Sequence, residues 1–566
     1  MIKRLVLILI LSLFIAQNAH GFDAARPNNK FGIHIAQVGD EDVQDSEKLV
    51  NSGGGKWGYI TVVLQENDRN ITKWQGVFDN FRTRHLIPIV RIATQPQGAA
   101  WRKPTREDIA GWVSFLNSLN WVTRDRYVAL FNEPNHAGEW GGSVDPAGYG
   151  EIADDFARAL KAKNPDFFVM LAGLDAAAPS APPQYEDERV FLEKMKEKRP
   201  DIFDHIDGWS SHSYPNPGFV GTPFDTGRNS IRNYEWELQT LKSIGVDKNL
   251  PVFITETGWP HSGSGRREFF TPDEVAQFIK GTYANIWLTD SRVRAVTPFI
   301  LNYQDAVFGH FSWRKLGSHD FYPQYGVVQG MDKVTGDPEQ IERGAIVFDT
   351  PSKLTVNSNY RLFITLKNEG QAMWDVGDGY NLDLAGVGDH KYFFSDISSV
   401  LPHEEQVVDL AIKTDNKKGA HNTKIFLKKG DREIMSIPWN FTIIPLPSLK
   451  VKVHLVPKIR RNFADFEIQL FDANEQLVFK KKGLKDAGGV LSLNAVPNVL
   501  PGRMYRLVVL KPYFLPRQTH IVMGQGSNTT SVKSMWPLDP NRNGRIDLGD
   551  IGALIANPLI FRLLIP

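Results

Sequence analysis

The chain has 566 residues, 42% of them hydrophobic and 11% aromatic, enough for several packed cores and too many for one ordinary domain. Its 65 basic and 64 acidic side chains leave a net charge of +1, which excludes the strongly basic surface that a nucleic-acid partner requires. No cysteine is present, so no disulfide supports any part of the chain.

Lys3 and Arg4 precede an apolar run from Leu5 to Ala16, followed by small and polar residues ending Ala19-His20-Gly21. This is the charge, core and cleavage layout of a secretory signal over residues 1–21, and the apolar run is short for a membrane span. The expectation is a secreted protein, extracellular or held at the cell surface, with no membrane segment left after cleavage. No cysteine follows the cleavage region to carry a lipid.

From Phe31 onward, short apolar runs alternate with longer amphipathic stretches. The strand candidates are FGIHIA from Phe31, GYITVVLQ from Gly58, LIPIVRIA from Leu86, RYVALFNE from Arg126, FFVMLAGL from Phe167, DGWSSHSY from Asp207, PVFITETG from Pro251 and AVTPFILNY from Ala295. Helical stretches such as YGEIADDFARALKAK, Tyr149 to Lys163, separate them. Strands rich in β-branched and aromatic residues, joined by helices, predict parallel pairing with crossovers. Eight such units over residues 22–338 predict an α/β fold of the (β/α)8 TIM-barrel class. A doubly wound open sheet is the alternative, weakened because no Gly-rich phosphate loop follows the first strand.

Beyond residue 338 the helical period gives way to alternation of period two, as in YRLFITLKN from Tyr360 and KIFLKK from Lys424. Pro445 and Pro447 mark a further boundary, and LKVKVHLV from Leu449 and DFEIQLF from Asp465 alternate again. Two successive β-sandwiches are expected, an immunoglobulin-like one over residues 339–446 and a second over 447–533. The stretch Asn368 to Trp374, NEGQAMW, resembles the Asn-x-Gly-x-x-x-Trp of some immunoglobulin-like modules and predicts a turn followed by a core tryptophan. The basic clusters Lys458–Arg461 and Lys480–Lys485 read as solvated faces.

Two strand candidates end in a glutamate. RYVALFNEPNH carries Asn132 and Glu133 to the end of the fourth, and PVFITETGWP carries Glu256 to the end of the seventh. Taken alone, Glu133 before Pro134 is as readily a helix cap. Taken as a pair at the carboxyl ends of barrel strands, the two glutamates would face each other across the barrel mouth. Two carboxylates about 5–5.5 Å apart suit a retaining glycosidase, in which one attacks the sugar carbon while the other protonates the leaving oxygen.

NEP after strand four and ETGWP after strand seven, in that order, resemble glycoside hydrolase clan A, the large group of retaining (β/α)8 glycosidases. The resemblance covers roughly residues 28–335. It implies Glu133 as acid/base, Glu256 as nucleophile, Asn132 as donor to the sugar's 2-hydroxyl, and no cofactor for catalysis. His212 and Tyr214, in DGWSSHSYPNP, resemble the His-x-Tyr of family 5 glycosidases, where the tyrosine donates to the nucleophile. Arg91 sits on the third strand candidate, a departure from the second-strand arginine of the clan. Trp313 and Trp259 are candidate sugar platforms, with Trp140 and Tyr303 as further cleft aromatics, while Trp209, inside a strand, is expected in the core. Asn135 and His136 are expected beside the cleft, with a helix cap the alternative for His136.

ETGWP also resembles the nucleophile stretch of family 17 β-1,3-glucanases, so the resemblance leaves the sugar open. The expected substrate is a β-linked polysaccharide cleaved internally in a groove walled by residues 214–227. A non-catalytic glycan-binding or scaffold protein and a wall-remodelling transglycosylase are the alternatives.

The tail, residues 534–566, contains DPNRNGRIDLGD. Asp539, Asn541, Asn543, Asp547 and Asp550 occupy positions 1, 3, 5, 9 and 12 of a calcium loop, Gly544 the sharp turn and Arg545 the carbonyl position. With Asp at position 12 and an apolar helix start after it, the segment resembles a dockerin repeat, which implies calcium and a cohesin-type partner. The usual second repeat does not follow.

Overall fold

The computed structural model describes residues 23, 25–456 and 465–560. The expected signal, residues 1–21, and the basic cluster Lys458–Arg461 lie outside the described residues. The chain forms two compact units, one running to Glu342 together with Gly370–Met373, the other comprising Arg343–Glu369 and the chain from Trp374 onward. Among the described residues no helix is long and apolar enough to cross a membrane.

The first unit is built from eight parallel strands. They are β1 (Gly32–Ile35), β2 (Gly58–Gln65), β3 (Leu86–Ala93), β4 (Arg126–Leu130), β5 (Phe167–Leu171), β6 (Trp209–Ser213), β7 (Val252–Thr257) and β8 (Val293–Val296). β1 to β5 pair in order as one sheet and β6 to β8 as another. Parallel bridges Met170–Gly208 and Phe31–Val296 join the two sheets at both seams, so the ring closes. Helices α1 (Asp40–Val50), α2 (Ile71–Thr83), α3 (Arg106–Ser118), α4 (Pro146–Lys163), α5 (Glu188–Lys198), α6 (Asn233–Ser243), α7 (Pro272–Thr282) and α8 (Pro323–Gln329) alternate with the strands.

Period-two alternation assigns the side chains. On β2, Ile60, Val62 and Leu64 join the large core shared with the helices, whereas Tyr59 joins an inner cluster with Ile87, Ile89, Tyr127, Phe168, Met170, Phe253 and Ala295. Phe253 anchors that inner cluster, with ring centroids 5.3 Å from Tyr127, 5.4 Å from Phe168 and 6.3 Å from Tyr59. This layer floors the barrel beneath the carboxyl ends of the strands.

Several boundaries differ from the sequence reading. The fourth helix begins at Pro146 rather than Tyr149, because Asp145 caps it through a bond from the Gly148 amide (2.9 Å) and Pro146 suits its first turn. The last strand is Val293–Val296 rather than a run from Ala295 to Tyr303, since Pro298 lacks an amide to donate.

The second unit contains two pairs of facing sheets. The first pair has strand orders Gly344–Phe348, Asn359–Asn368, Glu405–Lys413, Lys391–Phe394 and Lys353–Thr355, Arg432–Ile444, Gly419–Lys429, Tyr380–Ala385. Trp374 and Trp439 are fully buried there, Trp374 as its turn motif predicts. The second pair has orders Val490–Leu493, Ser448–Lys452, Ser527–Ser531 and Leu477–Leu484, Phe466–Phe471, Met504–Lys511, Phe514–Val522. Leu449, Ile468, Leu470, Leu507 and Val509 fill its core. A helix, Leu548–Ala556, follows the acidic loop of the tail.

If Phe253 floors the barrel as described, Phe253→Ala should lower the stability of the first unit by about 3–5 kcal/mol. Denaturant unfolding followed by tryptophan fluorescence measures this, and an unchanged midpoint contradicts the packing.

Candidate active site

The site is assembled by departures from regular strand geometry. Arg91 continues the inner face of β3 after Ile87 and Ile89, so its guanidinium rises from the barrel floor. On β7 the pairing with β6 slips: Ser211 faces Ile254 but His212 faces Glu256. The extra residue, Thr255, turns inward and bonds Ser210 (Oγ–Oγ1 2.7 Å), and the bulge brings Glu256 to the inner face as well. At the end of β4, Phe131 (φ +73°) and Glu133 (φ +30°) adopt left-handed backbone. That conformation is costly for residues with a Cβ, and here it delivers both Asn132 and Glu133 into the cleft.

Glu256 is 8% exposed and closely surrounded. Its Oε1 accepts a bond from Arg91 Nη1, and its Oε2 accepts one from the Tyr214 hydroxyl at 3.2 Å. His212 Nδ1 lies 2.7 Å from Glu133 Oε1 and 3.8 Å from Glu256 Oε2. One oxygen of each glutamate and one ring nitrogen of His212 all lie within 4.8 Å of one another. His212 can stand this close because Gly173 lacks a side chain; a Cβ there would come 2.1 Å from His212 Cδ2. The same three atoms are near enough to hold one divalent cation, but their donor capacity is already engaged by each other and by Arg91.

The charges settle accordingly. Burial would raise the Glu256 carboxyl, yet His212 and Arg91 overcome it and hold the group down to about 2. His34, 3.8 Å from Glu256, is pushed down to about 3 by burial and then by Arg91, so it stays neutral and adds no charge. Burial lowers His212, but Glu256 and the bond to Glu133 outweigh it and the net shift is upward. Burial, followed by Glu256, raises the Tyr214 phenol well above its ordinary value, so it remains a donor. A depressed carboxyl stabilises the fold above its unfolded value of 4.5, and Glu256's share is lost as pH falls toward 2.

The cleft above these groups has a volume of about 360 Å³. Arg91, Asn132, Glu133, His136, Tyr214 and Glu256 line it, as the sequence places them, while His212 sits buried beneath, bonded to Glu133. Asn135 is fully buried and ties the β4 and β5 loops together, donating to the carbonyls of Asp175 (2.9 Å) and Glu186 (3.2 Å). His136 bonds Asp175 at 2.8 Å on the cleft wall.

The expected tryptophan platforms are a correction. Trp259 is 3% exposed and its indole donates to the Gly221 carbonyl at 2.7 Å, so it pins the 214–227 loop instead of meeting a sugar. Trp313, also 3% exposed, packs into the core behind the strands. Trp140 is buried against Phe131, and Tyr303 packs on Phe308 without lining the cleft. Trp209 is in the core, as expected. Besides Tyr214, the cleft aromatics are Trp101, Phe131, Phe219, Phe299, Phe308 and Phe311. Trp101 comes from a two-residue hairpin strand after β3 that no periodicity reveals.

Two further wall residues escape sequence reasoning, Asp175 and Glu139. Glu139 ends a single helical turn, Ala137–Glu139, and lines the cleft together with Asn132 and Glu133. Burial first, and then the charge of Glu133, push the Glu139 carboxyl up to about 7.

In the tail, the acidic loop closes on itself. Asp539 Oδ2 accepts from the Gly544 amide (3.0 Å), Asn541 and Asn543 donate to Asp547 (3.1 and 2.6 Å), and Asp550 accepts from the amides of Asn541 and Asp547. Gly544 has φ +81°, the turn that its position requires. Arg545 contributes its amide to Asn543 Oδ1 at 2.8 Å. Asp539 is 4% exposed and its Oδ1 has no hydrogen-bond partner.

No family model matches this chain, and no curated protein matches it. Among solved structures, it is similar to a family 39 glycoside hydrolase from the gut symbiont Bacteroides cellulosilyticus WH2, with 14% identity over 89% of this chain and 82% of that one, TM-score 0.38. It is similar to an endo-β-1,4-glucanase from Xanthomonas axonopodis pv. citri, with 10% identity over 53% of this chain and 98% of that one, TM-score 0.37. A family 128 endo-β-1,3-glucanase from Amycolatopsis mediterranei, in complex with laminaritriose, has 12% identity over 53% of this chain and 99% of that one, TM-score 0.32.

After His212, Arg91 is the main counter-charge that holds Glu256 ionised. Arg91→Met should raise the Glu256 carboxyl by about 1–3 pH units. Carbon-13 NMR titration of labelled glutamate, assigned against Glu256→Gln, reads the shift; an unmoved titration contradicts the assignment.

Proposed function

We propose that the chain is a secreted, retaining β-glycoside hydrolase that cleaves a polysaccharide internally, with Glu256 as nucleophile and Glu133 as acid/base. The observation that carries this reading is the spacing of the two glutamates, with oxygens within 4.8 Å of each other across His212 and only one of the two, Glu256, paired with Arg91. A gap this narrow leaves no room for a water between sugar and carboxylate, as inversion would require.

In the first step Glu256 attacks the anomeric carbon as the glycosidic bond breaks, and the proton of Glu133 goes to the departing oxygen. The Glu256 ester is then displaced by water, whose proton returns to Glu133. Arg91 and Tyr214 hold the Glu256 carboxylate ionised and aimed, and His212 holds Glu133 Oε1, which leaves its other oxygen for the glycosidic oxygen. Asn132 faces the sugar's 2-hydroxyl, where a bond strengthens as positive charge develops in the ring. Aromatic faces along the cleft, Trp101 and Phe308 foremost, suit stacking against the apolar faces of successive sugars.

The tail loop is proposed to bind one calcium ion through Asp539, Asn541, Asn543, Asp547, Asp550 and the Arg545 carbonyl. Support comes from the buried, unpartnered Asp539 Oδ1 among oxygen donors at calcium-loop spacing. Calcium there supplies a charge that gathers these oxygens and takes no part in the glycosidic reaction.

The experiment is turnover on β-glucans, mannans, xylans and galactans, with proton NMR of the first anomer released. The reading expects a retained anomer and a loss of about 10³-fold or more in kcat for Glu256→Gln. For Glu133→Gln it expects slow turnover partly restored by azide, which needs no general base. Binding without turnover in the native protein, or an inverted product, would overturn it. For the tail, calcium should raise the unfolding midpoint of the second unit, reversibly with chelator, and Asp539→Ala should remove the effect; a calcium-independent midpoint contradicts the site.

A further inference from the structure

We propose that His136, positioned by Asp175, binds a hydroxyl of the leaving-group sugar and so forms a subsite beyond the scissile bond; the inference rests on the glycosidase reading of the cleft. Both side chains line the cleft, and His136 Nε2 lies 2.8 Å from Asp175 Oδ2. The other carboxylate oxygen, Oδ1, accepts from the Ala177 amide at 2.8 Å, so Asp175 is itself held in place. A carboxylate only accepts, and the proton of the His136–Asp175 bond therefore sits on Nε2. Among the described residues the second ring nitrogen, Nδ1, has no hydrogen-bond partner, and with the side chain 28% exposed it is not sealed from solvent. A neutral ring accepts at Nδ1 and a charged ring donates there. A sugar hydroxyl can answer either, so the contact does not depend on the charge of the ring.

Chain direction places this nitrogen on the leaving side. The His136 amide donates to the Glu133 carbonyl at 2.9 Å, so the imidazole belongs to the turn that Glu133 begins. Attack by Glu256 expels the leaving oxygen on the opposite side of the anomeric carbon, and Glu133 is the group proposed to protonate that oxygen. Arg91, Tyr214 and His212 gather around Glu256, whereas His136 is carried onward from Glu133.

The pair is not needed to tie the β4 and β5 loops together, because Asn135 already does so. Its amide nitrogen donates to the Asp175 and Glu186 carbonyls, and its Oδ1 accepts from the Asp175 amide at 3.2 Å. The His136 ring also packs T-shaped on Tyr185, with centroids 5.0 Å apart, a contact that a phenyl ring would make as well. What the imidazole adds is a polar atom in the cleft, held in one orientation before the sugar arrives.

The test measures kcat/KM for the native protein, His136→Ala and His136→Phe on an oligosaccharide of the sugar turned over fastest. The same three proteins are compared on aryl glycosides of the same glycone, from dinitrophenyl to unsubstituted phenyl. Both variants should lose about 10-fold on the oligosaccharide. They should stay within about twofold of the native protein across the aryl series, which offers no sugar hydroxyl beyond the scissile bond. Phenol, unlike dinitrophenol, needs the proton of Glu133 to leave, so the series separates a lost sugar contact from a damaged acid. Asp175→Ala should show the same selective loss, and adding it to His136→Ala should cost little more than His136→Ala alone.

Equal losses on the oligosaccharide and the aryl glycosides, no loss on the oligosaccharide, or a loss that grows from dinitrophenyl to phenyl would overturn the proposal. If His136→Ala does not fold, as judged by circular dichroism, His136→Phe keeps the ring against Tyr185 and takes its place, in the double variant too, under the same criteria. A native protein inactive on every glycan would remove the glycosidase reading and this inference with it. Native turnover of the oligosaccharide that is indifferent to both His136 variants would remove this inference alone.

Discussion

The pairing of Arg91 with Glu256 is the interaction on which the site depends. A carboxylate almost sealed from water is expensive to keep charged, and burial alone would push it toward neutrality. His212 and Arg91 reverse that tendency, so Glu256 can be both buried and ionised, which is what a nucleophile toward an uncharged sugar requires. The same guanidinium fixes the oxygen end of the Asn132 amide. One cation thereby couples the group proposed to attack the anomeric carbon with the group proposed to hold the adjacent hydroxyl.

The backbone around the site accommodates this arrangement through local irregularity. β7 carries a bulge at Thr255, β4 ends in two left-handed residues, and Gly173 leaves space that His212 occupies. Each is a departure from ideal barrel geometry, and each lies at the carboxyl end of a strand. The opposite end of the barrel is filled by the inner cluster around Phe253, which is regular and aromatic. Rigidity below and distortion above is the division that lets a scaffold hold several charged groups within a few ångströms of each other.

Much of this could be read from the chain. Eight apolar runs separated by amphipathic stretches mark the strands, and the glutamates ending two of them stand out because a carboxylate rarely closes a buried strand without reason. Arg91 was visible as a lone charge in an apolar run. Trp259 and Trp313 were misjudged because a tryptophan near a strand end has the same local signal whether its ring turns toward the cleft or back against the helices. That choice is made by partners distant in sequence, Gly221 for Trp259 and the core behind the barrel for Trp313. Glu139 and Trp101 went unseen because the elements that carry them, a single turn and a two-residue strand, have no periodicity to detect. The bulge at Thr255 was invisible too, since it exists only in the register between two strands.

The central claim is that a covalent bond forms between a sugar and Glu256. The most direct measurement is mass spectrometry of the protein after incubation with activated 2-deoxy-2-fluoro β-glycosides of the gluco, manno, xylo and galacto series, which form the ester quickly and release it slowly. The account predicts that one of them adds a single fluoroglycosyl group, located by peptide fragmentation on Glu256. Labelling at any other residue, or none from any of the four sugars under conditions where the protein hydrolyses a β-glycan, would contradict it.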